Sequence, residues 1–218
     1  MFKRNGLSIV LFTLFLLTMV GQTLTGWSAH NEDELAHGRP AVSLGAYLGS
    51  GHFWEATGEN WESEFLQMAL FVILTTFLYQ QGSAESKRID TIEEVDLDPG
   101  RFSDKEDAPG PVRRGGSLLL LYKNSLGIAF VVLFVLSLAM HAIGGLQHHN
   151  EEQQSHGQPA VSLSEYVQSS QFWFESFQNW QSEFLSLAAM VVGTIFLRQH
   201  GSAESKPVHA AHSDTGKA

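Results

Sequence analysis

The chain has 218 residues, no cysteine, and 23 acidic against 13 basic side chains, a net charge of −10. Disulfides and thiolate metal centres are therefore excluded, and with no dense basic patch the sequence makes no provision for nucleic acid. Phosphate-loop and nucleophile-elbow spacings are absent, so the chain does not read as an enzyme.

The first element is an apolar run of 20 residues without a charge, Leu7 to Gly26. That is enough for a membrane helix, although Lys3 and Arg4 ahead of it would also suit a secretory signal. A repeat decides between the two. Asn5 to Lys87 aligns with Asn124 to Lys206 without a gap, with 39 identities in 83 positions, and a duplication has to be read before anything else. The counterpart run, Leu126 to Gly145, lies mid-chain where no signal peptide acts, so both copies are expected to span.

Each copy then carries a polar loop. Asn31 and Asn150 read as N-caps of short helices stopped by Gly38 and Gly157, and Ser43 and Ser162 as caps of further ones, Ser162 with Glu165 as a capping box. Leu44, Tyr47 and Leu48, followed by Phe53 and Trp54, read as an apolar face lying on the membrane surface or packed on the other copy. The second apolar runs, Phe65 to Tyr79 and Phe184 to Leu197, fall short of a span. Capped by Asn60 and Asn179 they extend to helices near 61–79 and 180–198, with Trp61 and Trp180 at the interface and Gly82 and Gly201 as stops. Each copy closes on the same hexapeptide, GSAESK, at Gly82 to Lys87 and Gly201 to Lys206.

The expected architecture is all-α: four transmembrane helices as two parallel tandem repeats of a helical hairpin, with external interfacial helices. Residues 1–87 form the first two-helix repeat and 117–206 the second. Residues 88–116 read as a flexible acidic cytoplasmic linker and 207–218 as a disordered tail. Of the 13 Lys and Arg, all but Arg39 lie in the N-terminus, the 80–124 stretch and the C-terminus, which places those regions in the cytoplasm.

NGLSIVLFTLFLL, NWESEFLQMA and QQGSAESK together resemble an uncharacterised family of bacterial integral-membrane proteins, a domain of unknown function. The resemblance implies a bacterial inner-membrane protein and carries no activity, cofactor or site residue with it.

Candidate chemistry lies in two places. On one face of the second helices stand Asn60, Ser63 and Glu64, and in the other copy Asn179, Ser182 and Glu183. A polar stripe in a membrane helix turns inward, and facing carboxylates would suit proton or cation handling. The plainer reading is a first-turn carboxylate complementing the helix dipole. Outside, His30, His37, His149 and His156, with Glu32 and Glu151, offer imidazole and carboxylate to a metal. A spacing of seven on one helix sets two ligands about 10 Å apart, too far for one ion unless the backbone turns or the site assembles from both copies. The plainer reading is loop histidines acting as caps. His141, inside the third span, reads as a packed polar residue. No cofactor is called for. The lipid bilayer is the expected surrounding, with a protein partner or a second copy docking through the outer helices or the GSAESK turns. The function read first is a structural or accessory membrane protein; a small proton or cation transporter and a metal or redox protein are the alternatives.

Overall fold

The computed structural model describes residues 2–216, and among them every regular element is helical. Four long helices dominate: α1 (Phe2–Ala36), α3 (Gly51–Leu74), α6 (Ser125–Ser155) and α8 (Ser170–Phe196). Short helices α2 (Leu44–Leu48), α4 (Gly110–Arg114), α5 (Gly116–Lys123) and α7 (Leu163–Tyr166) connect them. Helices α1 and α6 are long and apolar enough to cross a membrane. Leu7, Phe12 and Leu17 on α1, and Leu126, Leu136 and Ile143 on α6, are more than half exposed, an apolar surface larger than soluble monomers leave bare.

Two compact units are present, each drawing on both copies: Met1–Glu59 with Ala139–Phe172, and Asn60–Leu138 with Trp173–Ala218.

In the first unit the external loops fold alike. Helix α1 continues through the stretch expected to be a separate short helix, because nothing breaks it before Gly38 turns the chain at φ 73°. Asn31 is therefore inside α1 rather than a cap. Its carboxamide brackets Val42 instead, donating to the Val42 carbonyl at 3.2 Å and accepting from the Val42 N–H at 2.7 Å. Asn150 on α6 does the same to Val161, at 3.0 and 2.8 Å. Ser43 and Ser162 cap α2 and α7, the latter through the capping box with Glu165. Tyr47 and Tyr166 are buried, each edge-on to a phenylalanine at 5.6 Å, Phe53 and Phe172 respectively. Their hydroxyls occupy the space a side chain would need at Gly26 and Gly145.

Helices α3 and α8 begin well ahead of Asn60 and Asn179, which lie mid-helix and cap nothing. Ser50 and Ser169 are the capping residues, their hydroxyls accepting from the N–H of Phe53 at 3.3 Å and of Phe172 at 3.2 Å. Phe53-Trp54 and Phe172-Trp173 thus belong to the long helices and not to a surface helix. With a serine cap in place and no proline downstream, the helix propagates. It passes through Gly58 because α6 needs the room. Gly51 and Gly58 on α3 and Gly144 on α6 put the two backbones in contact. A Cβ on Gly51 would meet the Gly144 carbonyl at 2.6 Å, and one on Gly144 the Glu55 backbone nitrogen at 2.5 Å.

In the second unit both GSAESK hexapeptides are the same turn. Gly82 and Gly201 take φ 85° and 81°. They lie beyond the helix ends at Leu74 and Phe196, so they serve the turn and not the helix stop. Ser83 and Ser202 accept from the N–H of Glu85 and Glu204, each at 3.1 Å. Ser86 and Ser205 accept from the N–H of Gln80 and Gln199, each at 2.9 Å. Ser83 also bonds the Thr194 hydroxyl at 3.0 Å. The Lys206 ammonium, buried, donates to the carbonyls of Gly82 at 2.6 Å and Asp214 at 2.8 Å. Burial holds its pKa below the ordinary lysine value. The tail read as disordered is tied in by these bonds and by Gly216 N–H donating to the Ser83 carbonyl at 2.9 Å. The segment read as a flexible linker holds two 3-10 turns, Glu94–Asp96 and Pro99–Phe102, besides α4.

Gly144→Ala is expected to destabilise the detergent-solubilised protein by about 1–3 kcal/mol, the usual cost of overpacking, read as a lower Tm. Gly21→Ala, with nothing within 4 Å of its Cβ, should be neutral or gain up to about 1 kcal/mol from helix propensity. Equal effects at the two positions would contradict the backbone contact.

Candidate functional site

A cavity of about 870 Å³ opens in the first unit among the end of α1, the start of α3 and the end of α6. His30, His37, His52, His148 and His156 line it. So do Asp33, Glu34, Glu151 and Glu152, against a single cationic side chain, Arg39. That guanidinium is already spent. It binds Glu34 through two bonds of 2.7 Å, which hold the Glu34 carboxyl below its usual range and push the guanidinium above its own.

Behind the cavity wall lies Glu55 on α3, 8% exposed. Its Oε2 is 2.5 Å from His148 Nδ1, and its Oε1 accepts from the Tyr166 hydroxyl at 3.2 Å. A buried carboxylate is tolerable only when paired and hydrogen bonded, and both oxygens here have partners. The Glu55 bond raises the His148 pKa. The neighbouring ring, His52, has its pKa lowered by burial and by His148. His52 Nδ1 lies 3.4 Å from the Tyr47 hydroxyl. His52 is the middle ring of three, its centroid 5.1 Å from His148, nearly perpendicular, and 5.3 Å from His30.

The comparisons with known proteins bear on the chain as a whole. A family model described as Domain of unknown function (DUF6766) matches residues 1–217. The chain belongs to that family. No curated protein and no solved structure matches it, so the chemistry has to be read from the geometry.

Of the four histidines expected from the sequence to hold metal, His30, His37 and His156 line the cavity, while His149 does not. His149 packs against Tyr166, ring centroids 5.5 Å apart, and its Nε2 lies 3.3 Å from Gln153 Nε2. His141 is fully buried and stacks on Phe172 at 4.8 Å, as a packed polar residue would. In the second unit, Glu64 and Glu183 do come together, their carboxyl groups close enough to interact. Ser63 and Ser182 donate back to the carbonyls of Asn60 at 2.9 Å and Asn179 at 2.8 Å. The fully buried carboxylate of α3 is Glu62, which accepts from the Trp180 indole at 3.0 Å. His52, Glu55 and His148 were not singled out by the sequence. Their signal was disagreement between the copies: they align with Gln171, Phe174 and Ala29.

The His148 pair should leave a pH signature. Because its folded pKa is raised, the stability it contributes is fully present below the ordinary imidazole value, about 6.5, and is lost as pH rises through the folded value. The Tm of EDTA-washed wild type minus that of Glu55→Gln is therefore expected to be largest near pH 6 and to shrink toward pH 9. A difference that grows with pH would contradict the pairing.

Proposed function

We propose that the chain is a four-span integral membrane protein of two parallel hairpin repeats, both termini cytoplasmic, in a bacterial inner membrane. Its first unit collects a divalent cation from the outer side. It acts by binding, with no enzymatic step. The positive-inside rule supports the topology, since the loops carrying the cavity hold one of the 13 Lys and Arg. The observation that carries the cation reading is the cavity itself, where four carboxylates and five imidazoles meet with one guanidinium, bonded to Glu34. The GSAESK turns give a docking role no such support, because their serines bond their own chain.

The cysteine-free chain makes topology directly testable. In intact cells, Leu35→Cys should react with an impermeant thiol reagent and Asp107→Cys should not; labelling of both, or only of Asp107→Cys, would overturn the proposed orientation. Divalent cations at one hundred times Kd should stabilise the purified protein by about 2.7 kcal/mol, and the Asp33→Asn, Glu151→Gln, Glu152→Gln triple variant should lose the effect. No shift in Tm with any of magnesium, calcium, manganese or zinc would sink the reading.

A second reading, proton or cation passage, is favoured by the closeness of the Glu64 and Glu183 carboxyl groups. It predicts a flux in proteoliposomes that Glu64→Gln with Glu183→Gln abolishes, and a wild-type protein without flux contradicts it.

A further inference from the structure

We infer that His52 and His148 bind one divalent transition metal of the zinc, cobalt or nickel class, oriented from behind by Tyr47 and Glu55. The inference rests on the cation-cavity reading and narrows it from any divalent cation to one chemical class and one set of ligands.

Ring positions argue first. Two imidazoles bound through nitrogen to one tetrahedral ion at about 2.0–2.1 Å have ring centroids about 5 Å apart. His52 and His148 stand at 5.1 Å.

The second argument is which nitrogens are already used. His148 spends Nδ1 on the buried Glu55 carboxylate, and His52 has Nδ1 toward the Tyr47 hydroxyl. Both rings thus keep Nε2 for an ion. A carboxylate behind the imidazole, as Glu55 stands behind His148, is how metal-binding histidines are usually held, because it selects the tautomer and raises the basicity of the ligating nitrogen. Glu55 is itself fixed by Tyr166 at 3.2 Å, so the orienting group has little freedom.

Third, the donor set selects the metal. Imidazole donors favour zinc, cobalt, nickel and copper over calcium and magnesium, which take oxygen ligands. The absence of cysteine removes thiolate competition.

Last, the pattern of the repeat sets the stoichiometry. The tyrosine, phenylalanine and glycine frame occurs in both copies, as Tyr47, Phe53 and Gly26 and as Tyr166, Phe172 and Gly145. The donors occur once. The second copy has Gln171 where the first has His52, and the first has Ala29 where the second has His148. One ion per chain follows, not two.

The test uses the full-length chain in detergent, free of any polyhistidine tag, washed with EDTA and titrated with cobalt chloride and zinc chloride. One cobalt per chain is expected, with the visible bands of a tetrahedral nitrogen-ligated ion, displaced by one equivalent of zinc. His52→Gln, which installs the residue of the other copy, and His148→Ala should each abolish the bands. Glu55→Gln should weaken zinc binding roughly 10–100-fold, the usual effect of losing an orienting partner. His209→Ala should change nothing. The metal-free Tm of each variant reports whether it is folded, and His52→Gln supplies the test should His148→Ala fail to fold. Bands that survive in His52→Gln, or two ions per chain, overturn the inference. Magnesium or calcium stabilising as well as zinc, insensitive to His52→Gln, overturns it while leaving the cation cavity standing. No response to any divalent ion overturns both.

Discussion

Three missing side chains hold the first unit together. Gly51 on α3 faces Gly144 on α6, Gly58 faces His141, and any Cβ at these glycines would run into the opposing backbone. Between membrane-associated helices burial against lipid gives little drive, and small residues that admit close approach supply packing instead. The same contact positions the chemistry. Glu55 lies four residues after Gly51 and His148 four after Gly144, so each projects from the face that makes the contact. The ion-pairing groups are brought to 2.5 Å by the same face that brings the helices together.

Electrostatics then differentiates the rings. Burying Glu55 without partners would be costly, and His148 and Tyr166 offset that cost with directed bonds. Its charge favours protonated His148, whose own charge in turn helps keep His52 neutral alongside the effect of burial. Neighbouring imidazoles of opposite tendency suit a cavity that exchanges protons for another cation. Metal binding would displace whatever proton His148 carries at Nε2.

Much of this frame was legible in the sequence, because helix-forming apolar runs, glycine turns and serine caps are local signals. The helical class, Ser43, Ser162 with Glu165, and the turns at Gly38 and Gly157 follow from such signals. What failed were starts and stops. Asn31, Asn60 and Asn179 are good caps in isolation, yet each lies inside a helix because Ser50, Ser169 and the uninterrupted end of α1 set the boundaries. The site was harder still. Agreement between the copies drew attention to His149, which packs on Tyr166, whereas Glu55, His52 and His148 lie where the copies disagree. No local pattern announces a carboxylate and an imidazole 93 positions apart. Only the α3 and α6 contact joins them.

The central claim is that Glu55 holds His148 by its Nδ1 and leaves Nε2 open. Ring-nitrogen NMR of nitrogen-15-labelled histidine, assigned with His148→Gln in metal-free protein at a pH above its titration, reads this directly. The account predicts a protonated Nδ1 and a bare Nε2 at His148, with that preference lost in Glu55→Gln. A His148 ring protonated at Nε2, or one indifferent to Glu55→Gln, would contradict it.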